Sequence, residues 1–521
     1  MHGPVLIWVA LAVLAAVFGA HVARHDFLSD DCYISLVYAR NLVEGKGLVW
    51  FGEKVEGYTN FLWVMLGAGA MALGLDAGAF LNGLGIASGF AVLALLLAAG
   101  ARGSRWSDPW IWVAPACLAV HRTFAGWSTS GLETQFFTGL VLAGSLRLAR
   151  ERDGARRPLS ALLFAAAALT RPEGNLWFAV AWCWLLGGIL RGRMRVRRLA
   201  VWTALYVALV GGHFAWRYAY YGYPLPNTFY VKVGGFWWEQ SRLWMGGFLR
   251  DYHLLWASPL LVAALLWRRD ARNALLGVPT LLFAAYLLYV GGDVFEYRLA
   301  TPLLPGLYWL LQEGVRAVHA RLAARPALAS VSAGTLAVLL VLGTGAPALR
   351  GFEEHHGIRS LENIRAYAEQ RADEGRFLRA LVDEGFLTGD EVIAVGGAGA
   401  LPYHARLETV DFRGLNDATV AHMPAPAAEP NRGWIGHEKA ASLEYLEDRR
   451  VALWDVGNRI VWPPGSPRPR PFRANRDFYR GGVCAVEAKG RYLVFATTLK
   501  RRAFAETFAR FRILFYSPPR G

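Results

Sequence analysis

Long apolar runs separated by short polar stretches fill the chain from Val5 to Leu342, and the last third reads differently. The first run, Val5–Val22, is long enough to cross a bilayer core of about 30 Å. Further apolar segments fall at 80–100, 109–121, 132–149, 158–170, 174–190, 198–218, 254–267, 274–290, 299–311 and 327–345. Small residues near Ala20 and Ala23 suit a cleaved leader. The positively charged start and the cleavage box of such a leader are missing, so an uncleaved first span is expected. The short stretch Phe61–Leu75 follows a polar motif directly and reads as a re-entrant or juxtamembrane helix.

Arginines decide that reading. Arg102 and Arg105 are followed in alternate loops by Arg147, Arg150, Arg152, Arg156 and Arg157, then by Arg191, Arg193, Arg195, Arg197 and Arg198. Arg268, Arg269 and Arg272, and finally Arg316, Arg321 and Arg325, continue the pattern. Cytoplasmic loops carry such an excess of positive charge. Counting Phe61–Leu75 as a span would move every cluster to the outside. The expected fold is therefore a polytopic α-helical membrane protein of about 11 transmembrane helices plus the re-entrant helix, N-terminus inside and C-terminus outside. Residues 1–346 form its membrane domain, and residues 347–521 form an outer, soluble α/β domain.

Within that outer domain Glu391–Val395, Glu408–Phe412, Val451–Asp455 and Tyr492–Thr497 read as strands, and 360–385 and 437–448 as helices. The GGAGALP segment at 396–402 has a superficial likeness to a dinucleotide loop. Its third glycine is missing and Pro402 comes early, so a tight strand-to-helix turn is the expectation.

Composition supports the membrane assignment: 55% hydrophobic residues, 21 Trp and 28 Phe against 18% charged residues in a chain of 521. The net charge of +15 comes mainly from arginines in short loops, a topological pattern rather than a nucleic-acid footprint. Four cysteines show no metal spacing and read as free, buried thiols.

The candidate chemistry lies in the loops assigned to the outer face. The first, 25–79, carries adjacent carboxylates at Asp30 and Asp31, opening an amphipathic helix with Tyr33, Leu36, Val37 and Arg40. Ser29 and Asp30 as helix caps would explain one acid but not the pair. EGYTN at 56–60 adds Glu56, Tyr58 and Asn60. STSGLET brings Glu133, TRPEG brings Arg171 and Glu173, and loop 218–253 brings Asn227 and Lys232. The turn GGDVFEYRLATPLLP brings Asp293 and Arg298. Each alone reads as a cap or an interfacial anchor; together they read as a membrane-surface active site.

Such a site suits transfer from a lipid phosphate. A carboxylate, Asp30 or Asp31, deprotonates an acceptor hydroxyl, while Arg171, Lys232 and Arg298 bind the phosphate leaving group. Glu56, Tyr58, Asn60, Glu133 and Asp293 are candidate substrate contacts. Carboxylate-rich sites also suit a divalent cation, but no complete ligand set is visible and no metal or other cofactor is assigned. Lipid-linked saccharide transport is the competing reading. It calls for charges near the bilayer midplane and repeated halves, and the sequence has neither.

DDCYISLVYARNLVEGKGLVW followed by EGYTNFLW resembles the first outer loop of GT-C membrane glycosyltransferases, and most of all that of the terminal β-(1→2)-arabinofuranosyltransferase-like subgroup. SGLET, TRPEG, the GGD…R turn and GHEKA at 436–440 are similar as well. The resemblance implies an inverting transferase in the bacterial cytoplasmic membrane, acting on its outer side. Its expected partners are a polyprenyl-phosphate sugar (arabinofuranose on decaprenyl phosphate in that subgroup), a cell-envelope glycan acceptor and the lipid bilayer, without nucleic acid. It implies catalytic roles for Asp30 and Asp31, and substrate contacts for His437 and Lys439.

Overall fold

The computed structural model describes residues 3–102, 106, 108–151, 157–232, 237–267, 270–424, 439–455, 457–469 and 482–519. Every apolar segment becomes helix. Leu, Ala and Val dominate these stretches, and a helix satisfies all its backbone groups internally, as a bilayer demands. Five helices are long and apolar enough to cross a membrane: Val5–Arg24, Ala77–Ala101, Val196–Tyr221, Ala271–Val290 and Pro326–Arg350. Pro109–Val120, Leu159–Thr170, Gly174–Leu190 and Ser258–Trp267 are shorter apolar helices. Thr134–Leu148 and Leu304–Arg321 complete the bundle.

Burial sorts these helices into rim and centre. Only 17% of the apolar window of Val5–Arg24 is buried, against 50% for Ala77–Ala101. The first presents Val5, Leu6 and Trp8 outward, an apolar face suited to lipid and not to water. Phe61–Ala72 is a helix of 12 residues, roughly 18 Å long, the same length as Leu159–Thr170 and longer than Ser258–Trp267, so length alone does not set it apart from the other short apolar helices. This is a multi-pass membrane protein.

Beyond Arg350 the chain builds a six-stranded mixed sheet. Its strands are β1 (Val392–Val395), β2 (Thr409–Asp411), β3 (Val451–Trp454), β4 (Gly482–Ala488), β5 (Arg491–Thr497) and β6 (Arg512–Ser517). The order is β2-β1-β3-β5-β4-β6, with β1 parallel to both neighbours and the other pairs antiparallel. Helix Leu361–Asp383, capped by Ser360, buries Leu378 and Leu381 with Ile393 and Val395 of β1. The four strands expected from sequence are present. β4 and β6 were not anticipated; β4 and β5 form a hairpin whose turn places Lys489 and Gly490 at positive φ. The expected helix over 437–448 is confined, among the described residues, to Leu443–Asp448.

The first loop lies between bundle and sheet. Helix Asp30–Val43 buries Leu36 with Trp63 and Leu81 on one side, and Val37 and Tyr38 with Leu378, Val395 and Leu401 on the other. Polar bonds fix the contact. Arg40 donates to the Tyr403 carbonyl at 2.7 Å, and Trp50 Nε1 to the Thr409 carbonyl at 2.9 Å. The sheet therefore packs directly against the helix that carries the two aspartates.

Candidate active site

Ser29 caps that helix: its side chain accepts from Cys32 N at 3.3 Å, leaving Asp30 and Asp31 to project from the first turn. Ser29 also pairs with the SGLET turn, donating its N–H to the Ser130 carbonyl at 2.9 Å. The approach is close. A Cβ on Gly131, which sits at φ +68°, would stand 2.5 Å from the Cys32 sulfur, so a small residue is required at both positions.

The two aspartates have different surroundings. Asp30 is buried, and its Oδ1 accepts a hydrogen bond from Ala400 N at 2.8 Å. Ala400 begins a short helix after the GGAGALP turn, so the expected strand-to-helix turn is present and wraps the carboxylate. A Cβ on Gly399 would stand 1.9 Å from the Asp30 carbonyl oxygen and 2.6 Å from its Cγ. One on Gly397 would meet the Tyr367 hydroxyl at 2.1 Å and Asp30 Oδ2 at 3.3 Å. Where a dinucleotide loop would cradle phosphate, this one holds a carboxylate of its own chain. Burial raises the Asp30 pKa from 3.8 to about 6, against the opposing pull of the Ala400 N–H and Arg371.

Asp31 is partly exposed, and its Oδ2 lies 3.5 Å from Arg298 Nη1. Arg298 also binds Asp293, with Nη2 at 2.8 Å and Nε at 3.0 Å from Oδ2. The turn that presents Arg298 is held hard. Tyr297 sits at φ 46°, a left-handed conformation unfavourable for a side chain of its size. Its hydroxyl donates to Asp251 at 2.6 Å. Next to it Arg122 grips Glu296 with Nε at 2.7 Å and Nη2 at 3.1 Å, both side chains fully buried.

Asp30, Asp31, Lys232, Asp293 and Arg298 line one cavity between bundle and sheet. Arg359, Tyr367 and Arg413 line it too, as do Gly396 and Gly397. Sequence reasoning missed the first three. They come from beyond Arg350, and only the docking of the sheet brings them here. Burial pushes the Tyr367 phenol well above its ordinary range. Four cationic side chains thus face three carboxylates around a solvent-accessible space.

Other expected site residues lie elsewhere. Glu133 accepts from Arg171 Nη1 and from Asn60 Nδ2, each at 3.0 Å, and Arg171 Nη2 is 2.9 Å from Glu173. Glu56 is buried against Arg217, and the Tyr58 hydroxyl lies 3.0 Å from that of Tyr221. Lys439 donates to the Ala421 carbonyl. His437 lies outside the described residues. Among the described residues no group of three or more His, Cys, Asp or Glu side chains could hold a metal ion.

The chain is similar to known proteins at three levels. Residues 362–495 match a family described as a domain of unknown function (DUF8728). The terminal β-(1→2)-arabinofuranosyltransferase of Mycobacterium tuberculosis is 29% identical over 351 residues, 60% of this chain and 52% of that protein. The chain thus spans about half the length of that curated relative. Crystal structures of ArnT from Cupriavidus metallidurans, apo and bound to undecaprenyl phosphate, superpose with TM-scores of 0.52 and 0.51 at 13% sequence identity. Each match covers 79% of this chain and 86% of ArnT. The resemblance read from the first loop is borne out: the chain is similar in sequence to a terminal arabinofuranosyltransferase and shares the fold of ArnT.

Proposed function

We propose that this protein is an inverting glycosyltransferase that moves a sugar, arabinofuranose as the leading candidate, from a polyprenyl-phosphate donor to a cell-envelope glycan or another extracytoplasmic acceptor. The observation that carries the reading is the cavity lined by a buried Asp30, held by Ala400 N–H, together with four cationic side chains beside apolar helices. The similarity to an arabinofuranosyltransferase, and a shared fold with a protein crystallised with undecaprenyl phosphate, support it.

Asp30 is the general base in this account. Ala400 N–H fixes one carboxylate oxygen, and a pKa near 6 leaves the group ionised yet basic at neutral pH. An acceptor hydroxyl attacks the anomeric carbon as its proton passes to Asp30. The bond from that carbon to the phosphate oxygen breaks on the opposite face, and the electron pair leaves with polyprenyl phosphate. Lys232, Arg298, Arg359 and Arg413 receive the phosphate and the charge that develops on it. Asp31 and Asp293 orient Arg298. Negative charge beside the ring also favours an oxocarbenium-like transition state.

The proposed topology keeps eleven spans in the bacterial cytoplasmic membrane, with cavity and sheet outside. Purified protein offered a panel of polyprenyl-phosphate pentoses and hexoses, with product configuration read by NMR, tests the reading. Transfer with inversion from one donor class is expected. Absence of transfer from every donor, with movement of lipid-linked saccharide across proteoliposomes instead, would overturn it in favour of transport.

A further inference from the structure

A second cavity, of about 290 Å³, lies at the ends of three helices whose opposite ends carry Asp76, Glu133 and the turn that leads to Asp293. Ala77–Ala101 starts at Asp76, next to the aspartate loop, and runs away from it for 25 residues, roughly 37 Å. Thr134–Leu148 starts at Glu133 and runs the same way. Ala271–Val290 runs the reverse course for 20 residues, roughly 30 Å, and ends at the turn carrying Asp293 and Arg298. That separation matches the hydrocarbon thickness of a bilayer, so the second cavity sits at headgroup depth of the opposite leaflet.

Its charge is one-sided. Arg102, Arg150 and Arg272 converge from three different segments, with Asp270 as the lone carboxylate of the lining. Arg272 is engaged, donating to the Ala99 carbonyl at 2.7 Å and lying 3.7 Å from Asp270. Arg102 and Arg150 have no carboxylate within ion-pair distance among the described residues. The remaining wall is apolar: Ala99, Leu146, Ala149 and Ala271. From Ala271, positions seven and eleven residues along the same helix face are Val278 and Leu282, both exposed. The cavity with its arginines thus lies at the end of a helix that exposes Val278 and Leu282 two to three turns further along, with Ala271 and Leu275 buried between.

We infer that this cavity is a binding site for an anionic phospholipid of the inner leaflet. The phosphodiester sits between Arg102 and Arg150, and an acyl chain follows Val278 and Leu282. Positive charge in cytoplasmic loops explains topology alone. It does not require that arginines from three segments line one cavity, two of them without a carboxylate partner among the described residues. Basic pockets between transmembrane helices on this side of a membrane bind anionic headgroups. The inference rests on the membrane-spanning reading and is independent of the proposed transfer reaction.

The test uses full-length protein in nanodiscs of phosphatidylcholine alone or with added phosphatidylglycerol, reading tightly bound lipid by mass spectrometry and thermal stability in parallel. Phosphatidylglycerol should co-purify and raise the melting temperature. Arg102→Gln and Arg150→Gln should each weaken its binding about fivefold, while Arg150→Lys keeps most of it. Arg321→Gln, which removes an arginine outside the cavity, should have no effect. Equal weakening by Arg321→Gln, or unchanged binding in both cavity variants, would overturn the site. Equal stabilisation by inorganic phosphate would mark a free-anion site and overturn the lipid assignment. If the Gln variants fail to fold, Arg150→Lys against Arg150→Met decides: the site stands only if charge, and not side-chain length, retains the lipid.

Discussion

Arg171 and Arg298 are alike in sequence and unlike in structure. Each sits in a turn between apolar helices, each is nearly buried, and each pairs with two carboxylates. Around Arg171 two glutamates outnumber the single guanidinium, and Asn60 closes the cluster. Around Arg298 the balance tips the other way, because Lys232, Arg359 and Arg413 share the cavity. The first arrangement ties its charge up in one compact cluster, whereas the second gathers cationic side chains from several elements around one cavity. A polar turn at a helix mouth thus becomes a candidate site only when other elements bring in charge that the turn itself does not neutralise.

That contrast can be broken directly. Arg298→Gln should lower turnover by about 100-fold or more through loss of leaving-group stabilisation, with a modest drop in melting temperature. Arg171→Gln should do the reverse. It leaves Glu133 and Glu173 unpaired in a poorly solvated turn, a loss of about 3–5 kcal/mol that a thermal or denaturant scan of detergent-solubilised protein will read. Equal effects of the two variants on turnover would erase the distinction.

A smaller effect is expected from Lys232→Met. Lys232 is exposed at the cavity rim, so its loss should raise KM for the donor about tenfold and lower kcat far less than Arg298→Gln does, consistent with one lost, partly solvated charge-assisted contact.

The gentlest probe is pH. Turnover should fall as pH drops through about 6, because Asp30 must be ionised to accept a proton. Stability runs oppositely. The folded-state pKa of Asp30 is raised, so the protonated form is favoured by folding. Its stabilising contribution is fully present below 3.8 and is lost as pH rises through about 6. Asp411, raised by burial to about 6, acts in the same sense. A melting temperature that falls less steeply over this window in Asp30→Asn than in the parent would confirm the sign.

The helical membrane character was legible because apolar length answers to one solvent, the bilayer. Four of the strands were legible because β1, β2, β3 and β5 are short, apolar and bounded by turns. β4 and β6 were missed. The alternation in Gly482–Ala488 is weak, although Gly481–Gly482 before it and Lys489–Gly490 after it are both turn signals in the sequence. At the site, Asp30, Asp31, Lys232, Asp293 and Arg298 were visible because they lie in loops that topology alone assigns to one face. Arg359, Tyr367 and Arg413 were not, since their arrival depends on how the sheet docks. The glycines of 396–399 carried the available signal. They were read as a turn, whereas their spacing serves the close approach of another segment, and nothing local to them names Asp30 as that segment.

The central claim is that Asp30, held by Ala400 N–H, takes the acceptor's proton. The most direct measurement is sugar transfer from the best polyprenyl-phosphate donor by Asp30→Asn and Glu133→Gln, in equal amounts of folded protein. Asparagine keeps the oxygen that accepts from Ala400 and removes only the basicity. The account predicts a loss of at least about 100-fold in Asp30→Asn and less than about tenfold in Glu133→Gln. Full activity in Asp30→Asn would contradict it.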